Sequence, residues 1–293
     1  MGADFLEQDI VLSKDGVPLV LHDIYLDPTT DVEQRFPDRA RQDGRFYAID
    51  FRLEEIRKLR LHERSTRNAQ GGESAVYPGR YPLQATPFRV PTLAQEIDLI
   101  AGLDRSRGRR TGLYVELKAP LWHARQGLDI AAAVLQVLAD KDYAQRTDQV
   151  FLQCFDDHTL KRLQREFKTP LPLIQLIAEN DWGEDSAVDY DHLRTAGGLS
   201  EVAQYAAGIG PWIGQIYQGR DSAGKARLSD LVSQAQQRGL LVHPYTFRAD
   251  DLPQGIKDST QLLDLLIRDA GVDGLFTDFP DLLRDYLQQR SRH

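Results

Sequence analysis

Gln149-Val150-Phe151-Leu152-Gln153-Cys154, running straight into Phe155-Asp156-Asp157-His158-Thr159-Leu160, reads as one strand followed by one helix. The apolar run is too short for a buried helix and carries Val and Phe, as a strand covered on both faces does. Asp156 or Asp157 then offers a carboxylate to the first free amides of a helix over Asp156–Phe167. The unit repeats on either side. Upstream, Gly112–Leu117 is a short apolar run and Gly127–Ala139 is amphipathic with helical spacing. Before them, Phe5–Leu12 and Val17–Leu21 form two extended pieces around the turn Lys14-Asp15-Gly16. A helix over Thr92–Leu103 follows, opened by Thr92 with Gln95 three residues on, a capping box.

Downstream, Pro172–Ile177 precedes the helix-like Leu199–Tyr205, and Ala207–Gly210 precedes Ser229–Arg238, which stops at Gly239. Leu240–Tyr245 then leads to Ser259–Ala270, which stops at Gly271, and Gly274–Thr277 leads to Pro280–Gln289. A glycine just past the last turn supplies the left-handed residue that ends a helix. Strict alternation of strand and helix predicts an α/β fold with a parallel sheet. A doubly wound sheet satisfies the pattern as well. The chain counts seven strand–helix units, one fewer than a (β/α)₈ barrel. Pro28–Arg89 breaks the alternation, is rich in Arg, Asp, Gly and Pro, and is helical only near Leu53–Arg60. A structureless loop of that length is uncommon in a compact domain, so residues 28–89 are read as a subdomain inserted within one domain over 1–293.

Composition bounds the function. The 293 residues are 41% apolar and 27% charged, enough for one sizeable core in a soluble chain. A formal charge of −8 disfavours nucleic acid as a partner, since such proteins show a basic stripe, and disfavours an anionic membrane surface. No run of 18 apolar residues is present, so no membrane insertion is expected. A single cysteine, Cys154, makes neither an internal disulfide nor a CxxC zinc site. The start at Met1-Gly2-Ala3-Asp4 has no basic n-region, so the chain as written would stay in the cytoplasm.

Three carboxylates stand where barrel chemistry is built. Glu7 and Asp9 sit two apart in a strand and so share a face. Paired carboxylate oxygens suit a hard divalent cation, Ca²⁺ or Mg²⁺; acids on a solvent-facing strand are the plainer alternative. Glu116 lies near the C-terminal end of Gly112–Leu117, where barrel active sites are placed. Lys118 shares its face and suits a phosphate oxygen, or simply an ion pair with Glu116. His22 ends the apolar run Leu19-Val20-Leu21, and its near-neutral titration suits acid–base work, although such a histidine also serves in cores. His243 poses the same question at a later strand end. His62, His123, His158, His192 and His293 fall in polar loops or on helix faces and receive no role. GxSxG, P-loop, GxGxxG and HExxH patterns are absent. From these residues alone, a barrel aldolase or sugar isomerase with a carboxylate-bound metal also fits.

Leu6-Glu7-Gln8-Asp9, then Lys14-Asp15-Gly16 and Leu21-His22-Asp23, resembles the glycerophosphodiester phosphodiesterase family. Asp31-Val32, Phe36-Pro37-Asp38-Arg39 and Tyr47-Ala48-Ile49-Asp50-Phe51 are similar to the insertion of its bacterial periplasmic-type branch. Glu116-Leu117-Lys118-Ala119-Pro120, Leu152-Gln153-Cys154-Phe155-Asp156 and Gly208-Ile209-Gly210-Pro211 continue the likeness in order. Val242-His243-Pro244-Tyr245-Thr246 and Gly274-Leu275-Phe276-Thr277-Asp278-Phe279-Pro280 complete it.

The resemblance implies a TIM (β/α)₈-type barrel that hydrolyses glycerophosphodiesters to glycerol 3-phosphate and an alcohol. It implies metal ligands at Glu7, Asp9 and Glu116, with Ca²⁺ or alternatively Mg²⁺, acid–base catalysis by His22, and phosphate binding by Lys118. Gln153, Phe155 and Tyr245, placed at barrel strand ends, are expected to shape the substrate pocket. The branch implies a periplasmic setting. The family opens with a strand ending in His-Arg-Gly and a helix opened by Pro-Glu-Asn-Thr, and neither motif occurs here. The barrel is therefore expected to lack its first βα unit, and a catalytically impaired remnant, or a module that binds glycerophosphodiesters or metal, is the alternative to an enzyme.

Overall fold

The computed structural model describes residues 2–67, 72–84 and 86–290. Its sheet strands are β1 (Phe5–Leu12), β2 (Pro18–Val20), β3 (Gly112–Leu117), β4 (Val150–Cys154), β5 (Leu173–Ile177), β6 (Gly208–Pro211) and β7 (Leu241–Val242). They are ordered β7-β6-β5-β4-β3-β1-β2. β4, β5, β6 and β7 pair in parallel, each with its sequence neighbour, while β2 folds back antiparallel on β1 with Leu12 opposite Pro18. Along β1 and β3, the bonds from Gly112 N to Asp4 O (2.8 Å) and from Lys118 N to Ile10 O (3.1 Å) advance together, as in a parallel ladder. All residues of β3 and β5 are buried, which is why these strands read as continuous apolar runs.

The helices α1 (Leu93–Arg107), α2 (Ile130–Asp140) and α3 (Asp157–Arg165) follow β2, β3 and β4; α4 (Ala196–Val202), α5 (Leu231–Gln236) and α6 (Ser259–Leu263) follow β5, β6 and β7; α7 (Pro280–Arg290) closes the chain. Asp156 caps α3, its Oδ2 accepting from Thr159 N at 2.8 Å. The capping box at α1 is complete: Gln95 N donates to Thr92 Oγ1 (3.2 Å) and Thr92 N to Gln95 Oε1 (3.0 Å). Thr92→Ala is expected to lower stability by about 1 kcal/mol in urea unfolding, and no change would show the box to be dispensable. Gly239 and Gly271 take the left-handed backbone their positions call for, at φ +76° and +74°.

Differences from the sequence reading have local causes. Beyond Val242 the chain still runs extended beside β6, with His243 N on Ile209 O and Tyr245 N on Pro211 O, but Pro244 has no N–H for the ladder. Gly274–Thr277 makes a single parallel bridge, Thr277 to Phe247, instead of a regular strand. α4 starts earlier than its apolar pattern because Thr195 caps it through Gly198 N. The stretch after Ser259 continues from α6 into wider π-type turns over Asp264–Ala270. The structure adds a short helix at Pro120–Arg125 and hairpins at Ser65–Arg67/Glu73–Ala75 and Tyr217–Arg220/Ala226–Leu228.

The chain falls into two compact units, and β1 and β3 pass from one to the other in mid-strand. One comprises Met1–Glu7, Arg110–Val115 and Ala144–His293. Its rings pack closely, Tyr114 stacking on Phe151 at 4.9 Å and meeting Phe276 edge-on at 4.7 Å. The other comprises Gln8–Arg109 and Glu116–Tyr143. Here apolar residues of the 28–89 stretch, Phe46, Phe51, Ile56 and Leu59, join Val11, Leu19 and Leu21 in one buried cluster. Among the described residues no helix is long and apolar enough to cross a membrane.

Candidate active site

β1 presents Glu7 and Asp9 on one face, with the side chain of Gln8 turned to the buried one. β3 brings Glu116 beside them, and one carboxylate oxygen from each of the three lies within 4.8 Å of the others. Glu7 is exposed, Asp9 half-buried and Glu116 buried. Lys118 Nζ sits 2.8 Å from Glu116 Oε1 and 3.7 Å from Asp9 Oδ1. The ion pair of Lys118 with Glu116 and the carboxylate cluster are therefore present together. Burial pushes the Glu116 carboxyl up to about 7; the Lys118 ammonium opposes the rise and the nearby Asp9 charge adds to it. Fully ionised, three carboxylates against one ammonium leave a charge of −2, which one divalent cation offsets. The donors are all oxygens, as Ca²⁺ and Mg²⁺ require. Gln153 reaches the same place from β4: its Nε2 donates to Glu7 Oε1 at 3.1 Å. Its own buried Oε1 has no hydrogen-bond partner among the described residues.

His22 follows β2, with its Nδ1 2.6 Å from Asp23 Oδ1. Arg64 Nη1 holds the other oxygen of Asp23 at 2.6 Å. That bond fixes the imidazole through Nδ1 and leaves Nε2 without a partner among the described residues. The Asp23 hydrogen bond raises the His22 pKa above its ordinary 6.5 against the opposing cost of burial. Burial works against ionisation of Asp23 as well, yet the bonds from His22 and Arg64 hold its carboxyl well below the usual range. A raised histidine pKa means stability that is fully present below pH 6.5 and lost as pH rises through the folded value. The ring NMR signal of His22 is expected to titrate with a midpoint above 6.5, and Asp23→Asn to move that midpoint down. A midpoint that ignores Asp23→Asn would remove Asp23 as the cause.

Phe155 and Tyr245 stand edge-to-face at 6.0 Å, and Phe155 meets Tyr190 in the same way at 6.3 Å. Tyr245 Oη donates to Ile177 O at 2.9 Å, so this residue offers a ring wall while its hydroxyl is tied to backbone. His243 lies instead in the aromatic core, its Nδ1 2.9 Å from Tyr114 Oη, and burial lowers its pKa. His123, one of the histidines placed in polar loops or on helix faces without a role, is fully buried. Its Nδ1–H donates to Ala119 O at 2.9 Å and its Nε2 accepts from Leu12 N at 3.0 Å, a structural role. His293 lies outside the described residues. Sequence reasoning passed over Asp23, whose position directly after His22 was a visible signal, and Arg64, for which the sequence offered none.

Comparison with known proteins agrees with this architecture. The sequence model of the glycerophosphoryl diester phosphodiesterase family matches residues 1–282. The chain is 40% identical to a glycerophosphodiester phosphodiesterase of Haemophilus influenzae, over 98% of this chain and 82% of that protein. It is 36% identical to the protein of that name from Treponema pallidum, over 100% of this chain and 86% of the relative. Among solved structures it is similar to a Silicibacter pomeroyi glycerophosphoryl diester phosphodiesterase at a TM-score of 0.68 and 24% identity, covering 98% of this chain and 84% of that one. An Oleispira antarctica phosphodiesterase solved with sn-glycerol-3-phosphate gives 0.60 at 19% identity, covering 98% and 86%. These likenesses fix the fold as α/β of the TIM-barrel type.

Proposed function

The chain belongs to the glycerophosphoryl diester phosphodiesterase family, and from that premise we propose that it hydrolyses glycerophosphodiesters to glycerol 3-phosphate and an alcohol. The observation that carries the reading is the grouping of Glu7 and Asp9 on β1 with Glu116 on β3 and Lys118 just after it. We assign the three carboxylates as the ligands of a divalent cation, Ca²⁺ first and Mg²⁺ as the other candidate. Such an ion supplies Lewis-acid polarisation of the phosphoryl oxygens. Lys118 gives its ammonium to a non-bridging phosphate oxygen as charge accumulates there. His22, held through Nδ1 by Asp23, has Nε2 to move the proton: water adds to phosphorus, the phosphorus–alcohol oxygen bond breaks, and the departing oxygen takes a proton. Gln153 positions Glu7 through its amide, and the rings of Phe155 and Tyr245 bound the substrate. Residues 28–89 act as an inserted subdomain, whose Arg64 reaches Asp23.

The purified chain, given glycerophosphocholine and Ca²⁺, is expected to release glycerol 3-phosphate and to stop when EDTA is added. Release no faster than from a Glu7→Ala variant would sink the proposal and leave a binding module.

A further inference from the structure

Two tryptophans stand exposed in the loops that follow neighbouring strands β5 and β6. Trp212 directly follows β6 and Trp182 lies in the loop after β5; they are 40% and 45% exposed, although tryptophan is highly buried on average. The rings meet edge-to-face at 5.4 Å. Trp212 continues the ring wall already described, because it bridges Tyr245 in parallel and Ile213 N donates to Tyr245 O at 2.9 Å. Its position is preset by Gly214, where an added Cβ would lie 2.3 Å from the indole Cζ3. Only glycine lets the ring lie there. From Glu7, the path runs through Gln153 and Phe155 to Tyr245 and on to the tryptophan pair.

The loop bearing Trp182 is acidic throughout: residues 178–189 contain Glu179, Asp181, Glu184, Asp185 and Asp189 and no Lys, Arg or His. Arg194 engages Glu179, whereas Asp181, beside Trp182, is exposed and has no ion pair among the described residues. Exposed indoles in a negative field attract a cation, best a quaternary ammonium, whose weak hydration makes transfer onto a ring cheap. An anionic or neutral alcohol gains little there.

We propose that Trp182 and Trp212 form the head-group end of the substrate site and select diesters whose alcohol carries an ammonium group, choline above all. This rests on the phosphodiesterase reading. It is tested on the full chain by comparing kcat/KM for glycerophosphocholine with that for glycerophosphoglycerol, whose head group is neutral. In Trp212→Ala and in Trp182→Ala the ratio of the two is expected to fall about five- to thirtyfold, the range of a cation–π contact. Trp212→Phe should keep most of the ratio, while Gly214→Ala, which displaces the indole, should lose it. Equal losses on both diesters, or an unchanged ratio in both alanine variants, would overturn the proposal. If the unaltered chain cleaves neither diester, the phosphodiesterase reading fails on its own, and a choline chloride titration followed by tryptophan emission still decides. A saturable change that disappears in Trp212→Ala upholds the cation subsite, and a response without saturation refutes it.

Discussion

Glu116→Gln is expected to reduce glycerol 3-phosphate release by about 10³-fold or more, because a metal ion contributes several kcal/mol of charge stabilisation to phosphoryl transfer. The same variant should no longer bind Ca²⁺ in a calorimetric titration. Stability provides a second readout. In the unaltered chain Ca²⁺ should raise the melting temperature, since a ligand that binds only the folded state stabilises it by mass action. In Glu116→Gln the melting temperature should not respond to Ca²⁺. Without metal the variant should be about as stable as the parent, because the change removes a buried carboxylate crowded by Asp9 at the cost of its bond to Lys118. Undiminished Ca²⁺ affinity in the variant would place the ion elsewhere.

Phe51→Ala should cost about 3–5 kcal/mol in urea unfolding, the range for emptying a large aromatic side chain from a core. Phe51 is fully buried, meets Phe36 at 5.4 Å and has the Arg39 guanidinium 4.5 Å above its ring. Its cluster also holds Leu21, the residue before His22, so the cavity should loosen the segment that carries the imidazole. A loss of hydrolysis is therefore expected to accompany the loss of stability. A cost under about 1 kcal/mol would mean that residues 28–89 do not share a core with β1 and β2.

Much of this was legible in the chain because short-range rules decide it. Alternation put Glu7 and Asp9 on one face, the four-residue reach of a helix turn paired Thr92 with Gln95, and the aspartates after a strand narrowed the cap to Asp156 or Asp157, of which the structure uses Asp156. His22 and His243 show where such rules stop. Each follows an apolar strand run, and no local pattern distinguishes them. One is held at a strand end by Asp23, and the other is packed against Tyr114 and Phe151. His123 sits in the polar-looking Trp122-His123-Ala124-Arg125-Gln126 and is nonetheless buried, because the N–H of Leu12 needs its Nε2.

By itself the sequence determined the kind of fold and offered the residue types of a candidate site: strand–helix units in order, two acids on one face of a strand, a third acid and a lysine toward the end of another, and a family likeness along the chain. The tertiary structure alone decided which groups act on one another. Arg64 reaches Asp23 across 41 positions and Gln153 reaches Glu7 across 146. Periodicity and capping are set by backbone geometry within a few residues, so they are written locally. A hydrogen bond or a shifted pKa depends on which strands lie side by side and on how much water they exclude, and that exists only once the sheet has formed.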